Sequence, residues 1–328
     1  MITITNVRTV MTAPEGIDLV IVVVETSEPG LLGYGCATFT QRASAVADVV
    51  DRYLAPLLAG RDVSRIEDLW RLMHANSYWR GGPVLANGIG GVDMALWDIA
   101  GKRAGMPVYQ LLGGACRDRV DVYRHADGSS IPELIENAQS LVSEGHRYVR
   151  CQIGGYGAAG AMTKDANAES STESSAAAQG GSGAASAGSP GVAAGRTGAG
   201  AVTPHPGPQP AADDRVAIDP ARYMALTIEA LQEARGALGP RIELLHDVHE
   251  RVPVGELARY ARRLDDVGLF FLEDAVPPDQ YEWLRNIRAA SVTPIALGEL
   301  FTTPEQWVPL IKDRLIDFIR VHLSHIGG

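Results

Sequence analysis

Three acidic residues divide the second half of the chain evenly. Asp247, Glu273 and Glu299 stand 26 and 26 residues apart. Each closes a short apolar run: Ile242-Glu243-Leu244-Leu245-His246 before Asp247, Leu269-Phe270-Phe271-Leu272 before Glu273, and Pro294-Ile295-Ala296-Leu297-Gly298 before Glu299. That interval holds one strand, one helix and two short loops. The spacing places each acid at the C-terminal end of a successive parallel strand, where the carboxylates converge. Gathered carboxylates repel one another unless a cation holds them. Hard oxygen ligands select Mg²⁺ or a similar ion.

Groups able to move protons flank these acids. His249 lies two residues past Asp247 and points to the same side if the strand continues. An imidazole takes or gives a proton near neutral pH, which suits a general acid or base. Arg320 and His322 alternate along the last apolar run and so share a face. His246 and Asp274, each one residue out of phase with an acid, read as structural.

The elements that must carry these residues follow a regular beat. Strands are expected at 120–126, 148–153, 242–247, 269–273, 294–299 and 317–323, with helices at 131–144, 220–237, 254–267, 280–289 and 304–314. Asp219 caps the second of these helices, with Pro220 at its first position. Repeated strand–helix units with apolar strands predict a parallel sheet covered by helices, and the even beat points to a barrel. In such a barrel the C-terminal strand ends form the face that carries active sites. An eight-stranded barrel needs two strands more than the six read here. Either more chain follows Gly328, or another chain completes the barrel, or the protein is a shortened fragment.

Residues 1–115 differ in kind. A strand meander occupies the first 40 residues or so, with a β-branched run from Asp18 to Thr26 and a turn at Pro29-Gly30. Helices are expected at 42–58, 64–74 and 84–104, the last apolar on nearly every side. This block forms a separate α+β domain, and residues 116–328 form the barrel domain. Residues 158–213 interrupt the loop after the second barrel strand. They are rich in Ala, Gly, Ser and Pro, with Met162, Val192 and Val202 as the only larger aliphatics. Such a segment buries too little apolar surface to offset its ordering entropy, so disorder is expected.

Composition narrows the partners. The 328-residue chain carries a net charge of −10 and shows no Lys/Arg cluster, which argues against nucleic acid. Cys36, Cys116 and Cys151 are odd in number and include no Cys-x-x-Cys pair, so reduced thiols in a cytoplasmic protein are expected. No basic N-terminal region precedes a long apolar core. Leu19–Val24 is far too short to span a bilayer.

Several motifs together resemble the enolase superfamily, and within it the mandelate racemase-like branch with its mannonate dehydratase and starvation-sensing protein group. They are Gly91-Val92-Asp93-Met94-Ala95-Leu96-Trp97-Asp98, Val122-Tyr123-Arg124-His125-Ala126-Asp127-Gly128, His246-Asp247-Val248-His249-Glu250, Phe271-Leu272-Glu273-Asp274, Leu297-Gly298-Glu299-Leu300-Phe301 and Ile319-Arg320-Val321-His322. The resemblance implies an N-terminal capping domain over a modified (β/α)7β, TIM-like barrel, here with about six strands. It implies Mg²⁺ on Asp247, Glu273 and Glu299, and a symmetric homo-oligomer when the full-length chain is present. It implies that Tyr156 with Arg150 removes the proton next to a substrate carboxylate and that His249 acts as acid or base. It also implies that His125, Arg320 and His322 contact a small sugar acid. Tyr156 stands earlier in its loop than the family spacing places the tyrosine, while Thr40 and Asp127 stand where relatives have asparagine. The function implied is a Mg²⁺-dependent dehydratase converting a mannonate- or gluconate-type hexonate to a 2-keto-3-deoxy acid. The alternatives are a racemase or epimerase sharing the same enediolate chemistry, and a catalytically silent metal-binding or regulatory homologue.

Overall fold

A computed structural model describes residues 1–153 and 219–328. The expected insertion at 158–213 and Tyr156 lie outside the described residues. The chain begins with an antiparallel sheet of β1 (Ile4–Thr12), β2 (Leu19–Thr26) and β3 (Leu32–Cys36), ordered as in the chain. Helices α1 (Ala43–Val49), α2 (Ala55–Leu58), α3 (Ile66–Ala75), α4 (Pro83–Ala104) and α5 (Val108–Leu111) follow. The single helix expected over 42–58 is interrupted, because Val50–Leu54 widens into a π-helical turn between α1 and α2.

Helix α4 is the spine of this domain. Its residues Ile89, Val92, Leu96 and Ile99 are buried with Val20, Val22 and Val24 of β2 in one core. It also lies directly on β3. A Cβ at Gly33 would stand 2.0 Å from the Ala95 carbonyl oxygen, and one at Gly35 would stand 1.9 Å from that of Gly91. Only glycine admits that approach.

The second half alternates strand and helix: β4 (Tyr123–Gly128), α6 (Ile131–Ser143), β5 (Tyr148–Ile153), α7 (Pro220–Leu238), β6 (Glu243–Asp247), α8 (Leu257–Leu264), β7 (Phe271–Glu273), α9 (Leu284–Ala290), β8 (Ile295–Leu297), α10 (Pro304–Lys312) and β9 (Phe318–Ile319). The six strands β4 to β9 are parallel and pair in chain order. Asp219 caps α7 as expected, its Oδ1 accepting from the Ala221 amide at 2.9 Å.

Alternation sorts the strand residues into two faces. Ala126, Cys151, Leu244, Leu272 and Ile295 pack outward against the helices in the larger core. Leu245, Phe271 and Ala296 form a small inner cluster with Tyr123 and Tyr148. One step further along the same faces come His125, Arg150, Asp247 and Glu273. The register pairs His125 with Arg150 and Asp247 with Glu273. An apolar layer thus floors a polar one, and the polar layer lies toward the C-terminal strand ends.

The expected boundaries shift at the sheet's two margins. Val120 and Val122 precede β4 and are exposed, whereas Asp127 and Gly128 belong to it. The strand expected over 317–323 is two residues long, so Arg320 and His322 lie beyond it and strand alternation does not orient them. Residues 323–327 turn instead toward the first domain, where the Trp70 indole nitrogen donates to the Gly327 carbonyl at 2.7 Å. Phe39 meets the His325 ring edge-on at 6.1 Å, which brings the loop after β3 over the barrel face.

Candidate active site

Arg150 reaches the site from β5 and Asp247 from β6, and both are almost wholly buried, at 1% and 0% exposure. A buried pair of this kind holds only when its remaining hydrogen-bonding capacity is met. Four side chains meet it by closing a ring. Arg150 Nη1 donates to Asp247 Oδ2 at 2.8 Å, and Nη2 donates to Gln152 Oε1 at 2.8 Å. The Gln152 amide nitrogen then meets His249 Nδ1 at 3.0 Å, and His249 Nε2 meets Asp247 Oδ2 at 2.8 Å. An amide NH₂ only donates, so His249 Nδ1 accepts and the ring proton sits on Nε2, facing Asp247. The His249 backbone amide adds a bond to Asp247 Oδ1 at 3.1 Å. Burial alone would raise the Asp247 pKa, but His249 and Arg150 outweigh it and hold the carboxyl below its ordinary value.

His249 does not continue the strand. It turns back on Asp247 with φ +48°, followed by Glu250 at +58°, while Asp274 after β7 has φ +41°. The described residues contain five non-glycine positions of positive φ, and these three cluster at the strand ends beside the acids. Strain of this kind persists where surrounding contacts over-determine a conformation, and functional sites are where it collects.

Glu273 and Asp274 have a different environment. Both are buried; Glu273 has Arg320 as its ion-pair partner, and among the described residues Asp274 Oδ2 lacks a hydrogen-bond partner. Desolvation, then the Asp247 charge, pushes Glu273 up to about 7 and Asp274 well above the usual carboxylate range. Ligand atoms of Asp247, Glu273 and Asp274 lie within 4.8 Å of one another. Buried carboxylate oxygens at this density fit a hard divalent cation, because water is excluded and the acids otherwise repel.

Glu299 arrives by another route. β8 ends at Leu297, and continued alternation would turn Glu299 to the helix side. Gly298, at φ +145°, redirects the chain, and its amide donates to Asp274 Oδ1 at 3.2 Å. Glu299 then bonds Arg320, with Nη1 to Oε2 at 2.6 Å. The 4.8 Å group of described residues contains Asp274 in place of Glu299.

Arg320 also donates from Nε to the Tyr123 hydroxyl at 2.6 Å and ion-pairs with Glu273. It therefore links the last strand to the first across the interior. His125 stacks on Tyr123 at 5.6 Å and lies 3.4 Å from Arg150 Nη2. His322 stacks on His325 at 4.1 Å and bonds Ser324, while His325 Nδ1 meets the Glu299 carbonyl at 2.8 Å. His246 packs behind the sheet with Tyr223 and the Cys151 carbonyl, and burial lowers it to about 4. Two contributors, Gln152 and Tyr123, were not singled out from sequence, and a third, Asp274, was read as structural. Gln152 and Tyr123 share strand faces with Arg150 and His125, so alternation could have found them. Asp274 could not be found that way, because its orientation comes from a left-handed residue.

Comparison with known proteins agrees with the fold. Residues 2–113 match the N-terminal domain pattern of mandelate racemase / muconate lactonizing enzymes, and residues 196–328 match the enolase C-terminal domain-like pattern. A D-galactonate dehydratase family member of Pantoea ananatis, RspA, is 46% identical over 325 residues, spanning 99% of this chain and 72% of the relative. A member of the same family from Musicola paradisiaca is 45% identical over the same shares. The crystal structure of an enolase from Pantoea ananatis with bound D-gluconate and Mg superposes with a TM-score of 0.81 at 43% identity, over 100% of this chain and 73% of that one. The chain belongs to the enolase superfamily, carries its mandelate racemase / muconate lactonizing domains, and stands close to the D-galactonate dehydratase family.

Proposed function

We propose that the chain is a Mg²⁺-dependent acid-sugar dehydratase acting on a mannonate- or gluconate-type hexonate. The observation that carries this reading is the buried carboxylate cluster beside an oriented histidine, at the C-terminal ends of parallel strands. The gluconate- and Mg-bound relative supports the substrate class. Asp247, Glu273 and Glu299 are the proposed metal ligands, with Asp274 beside them. A divalent cation held there supplies fixed positive charge next to the substrate carboxylate as negative charge develops on it.

The chain's own residues supply the proton transfers. Tyr156, outside the described residues, takes the C2 proton, and the Arg150 guanidinium favours its phenolate form. The C2–H electron pair moves toward the carboxylate and then expels the C3 hydroxyl. His249, in its protonated form, is the proposed acid: it gives one proton to that hydroxyl, which leaves as water. The enol so formed becomes the 2-keto-3-deoxy acid. His125, Arg320 and His322 are proposed to hold the sugar acid.

Incubating the Mg²⁺-loaded protein with a panel of hexonates and assaying 2-keto-3-deoxy acids tests the reading. Product from mannonate or gluconate is expected, lost in His249→Asn. Absence of product from every hexonate by a metal-loaded protein would refute it. Deuterium exchange at C2 without elimination would show a racemase or epimerase instead.

A further inference from the structure

Arg150 and Arg320 both bear on the acid cluster, but they are held differently. Arg150 is locked: it is 1% exposed and belongs to the closed ring with Asp247, His249 and Gln152. Arg320 lies just past a two-residue strand, and its side chain keeps 29% exposure. Its guanidinium spans Glu273 and Glu299, and its resting place is fixed by the Tyr123 hydroxyl. Arg320 touches one oxygen of each carboxylate, Glu273 Oε1 and Glu299 Oε2, so a divalent ion on the same two acids would lie close to the guanidinium. Two cations packed together in a partly buried site repel each other. The two cations therefore compete for the charge of these carboxylates.

We propose that Arg320 is an internal counter-cation that competes with a divalent cation for Glu273 and Glu299, and that it thereby sets the metal affinity. This rests on the cation-site reading above. Tyr123 is the positioning residue, since its hydroxyl holds the guanidinium over the acids. Arg320 thus neutralises the acids before the metal arrives, and the metal must outcompete it.

Calorimetric titration with Mg²⁺, paralleled by Mn²⁺ electron paramagnetic resonance, reads the affinity directly. Arg320→Ala is expected to bind Mg²⁺ about tenfold more tightly than the unaltered protein. Methylguanidinium, refilling the deleted group, should weaken Mg²⁺ binding again in Arg320→Ala and leave the unaltered protein unchanged. Tyr123→Phe, which keeps every charge, should bind Mg²⁺ about threefold more tightly. Should Arg320→Ala fail to fold, Tyr123→Phe decides alone. Equal or weaker Mg²⁺ binding in the folded variants would overturn the inference while leaving the metal site standing. Absence of Mg²⁺ and Mn²⁺ binding in the unaltered protein would overturn the site itself and this inference with it.

Discussion

At the scale of residues, the site is built from two kinds of carboxylate. Asp247 is surrounded by donors and held ionised, while Glu273 and Asp274 are dry and pushed toward their neutral forms. That contrast follows from the number of donors: Asp247 has Arg150 and both the ring and the amide of His249, whereas Glu273 has Arg320 and Asp274 has the Gly298 amide. Arg150 comes from the adjacent strand and meets Asp247 directly. Breaking a buried pair leaves an uncompensated charge, so Arg150→Met is expected to destabilise the fold by about 3–5 kcal/mol. Urea unfolding measures this, and a change below about 1 kcal/mol would show that His249 alone can satisfy Asp247. Equal spacing brought Asp247, Glu273 and Glu299 forward from the sequence. It could not show that Glu299 depends on Gly298, or that Asp274 turns into the cluster. Both depend on backbone dihedrals at strand ends, which side-chain periodicity does not encode.

At the scale of elements, period and capping carried most of the information. The strand over Tyr148–Ile153 and the start of α7 at Pro220 lie where apolar alternation and the Asp219 cap place them. Short strands were harder. β7 and β8 are three residues each, since the apolar runs around them extend beyond the hydrogen-bonded ladder. The π-helical turn at Val50–Leu54 left no mark on a helical apolar period. The close seat of α4 on β3 was equally hidden, because Gly33 and Gly35 read only as members of a short strand until the helix is seen against them. Gly35→Ala places a methyl on the Gly91 carbonyl and must push α4 away. A loss of at least about 3 kcal/mol is expected in thermal or urea unfolding. A variant as stable as the parent would show that α4 can shift without cost.

At the scale of the whole molecule, the first domain and the barrel meet through α3, α4 and the final turn. Asp93 of α4 lies in this seam, packed against Gly328. Burial, with Glu67 adding to it, raises its carboxyl from 3.8 to about 6. The folded state then binds more proton than the unfolded one between those values, so stability falls as pH rises through that window. Asp93→Asn removes this dependence. It is expected to stabilise the fold at pH 8 by up to about 3 kcal/mol and to change little at pH 3. Urea titrations at both pH values check the sign, and a variant weaker at pH 8 would contradict it. The same seam offers an optical handle. Trp70 is hydrogen-bonded through its indole to Gly327 and stacked on the His74 imidazole at 4.9 Å. Its emission therefore reports whether the two halves are docked. With the other four tryptophans replaced by phenylalanine, fluorescence from Trp70 alone should shift to the red when the seam opens. That makes one native side chain a gauge of how the molecule comes apart, without any label attached.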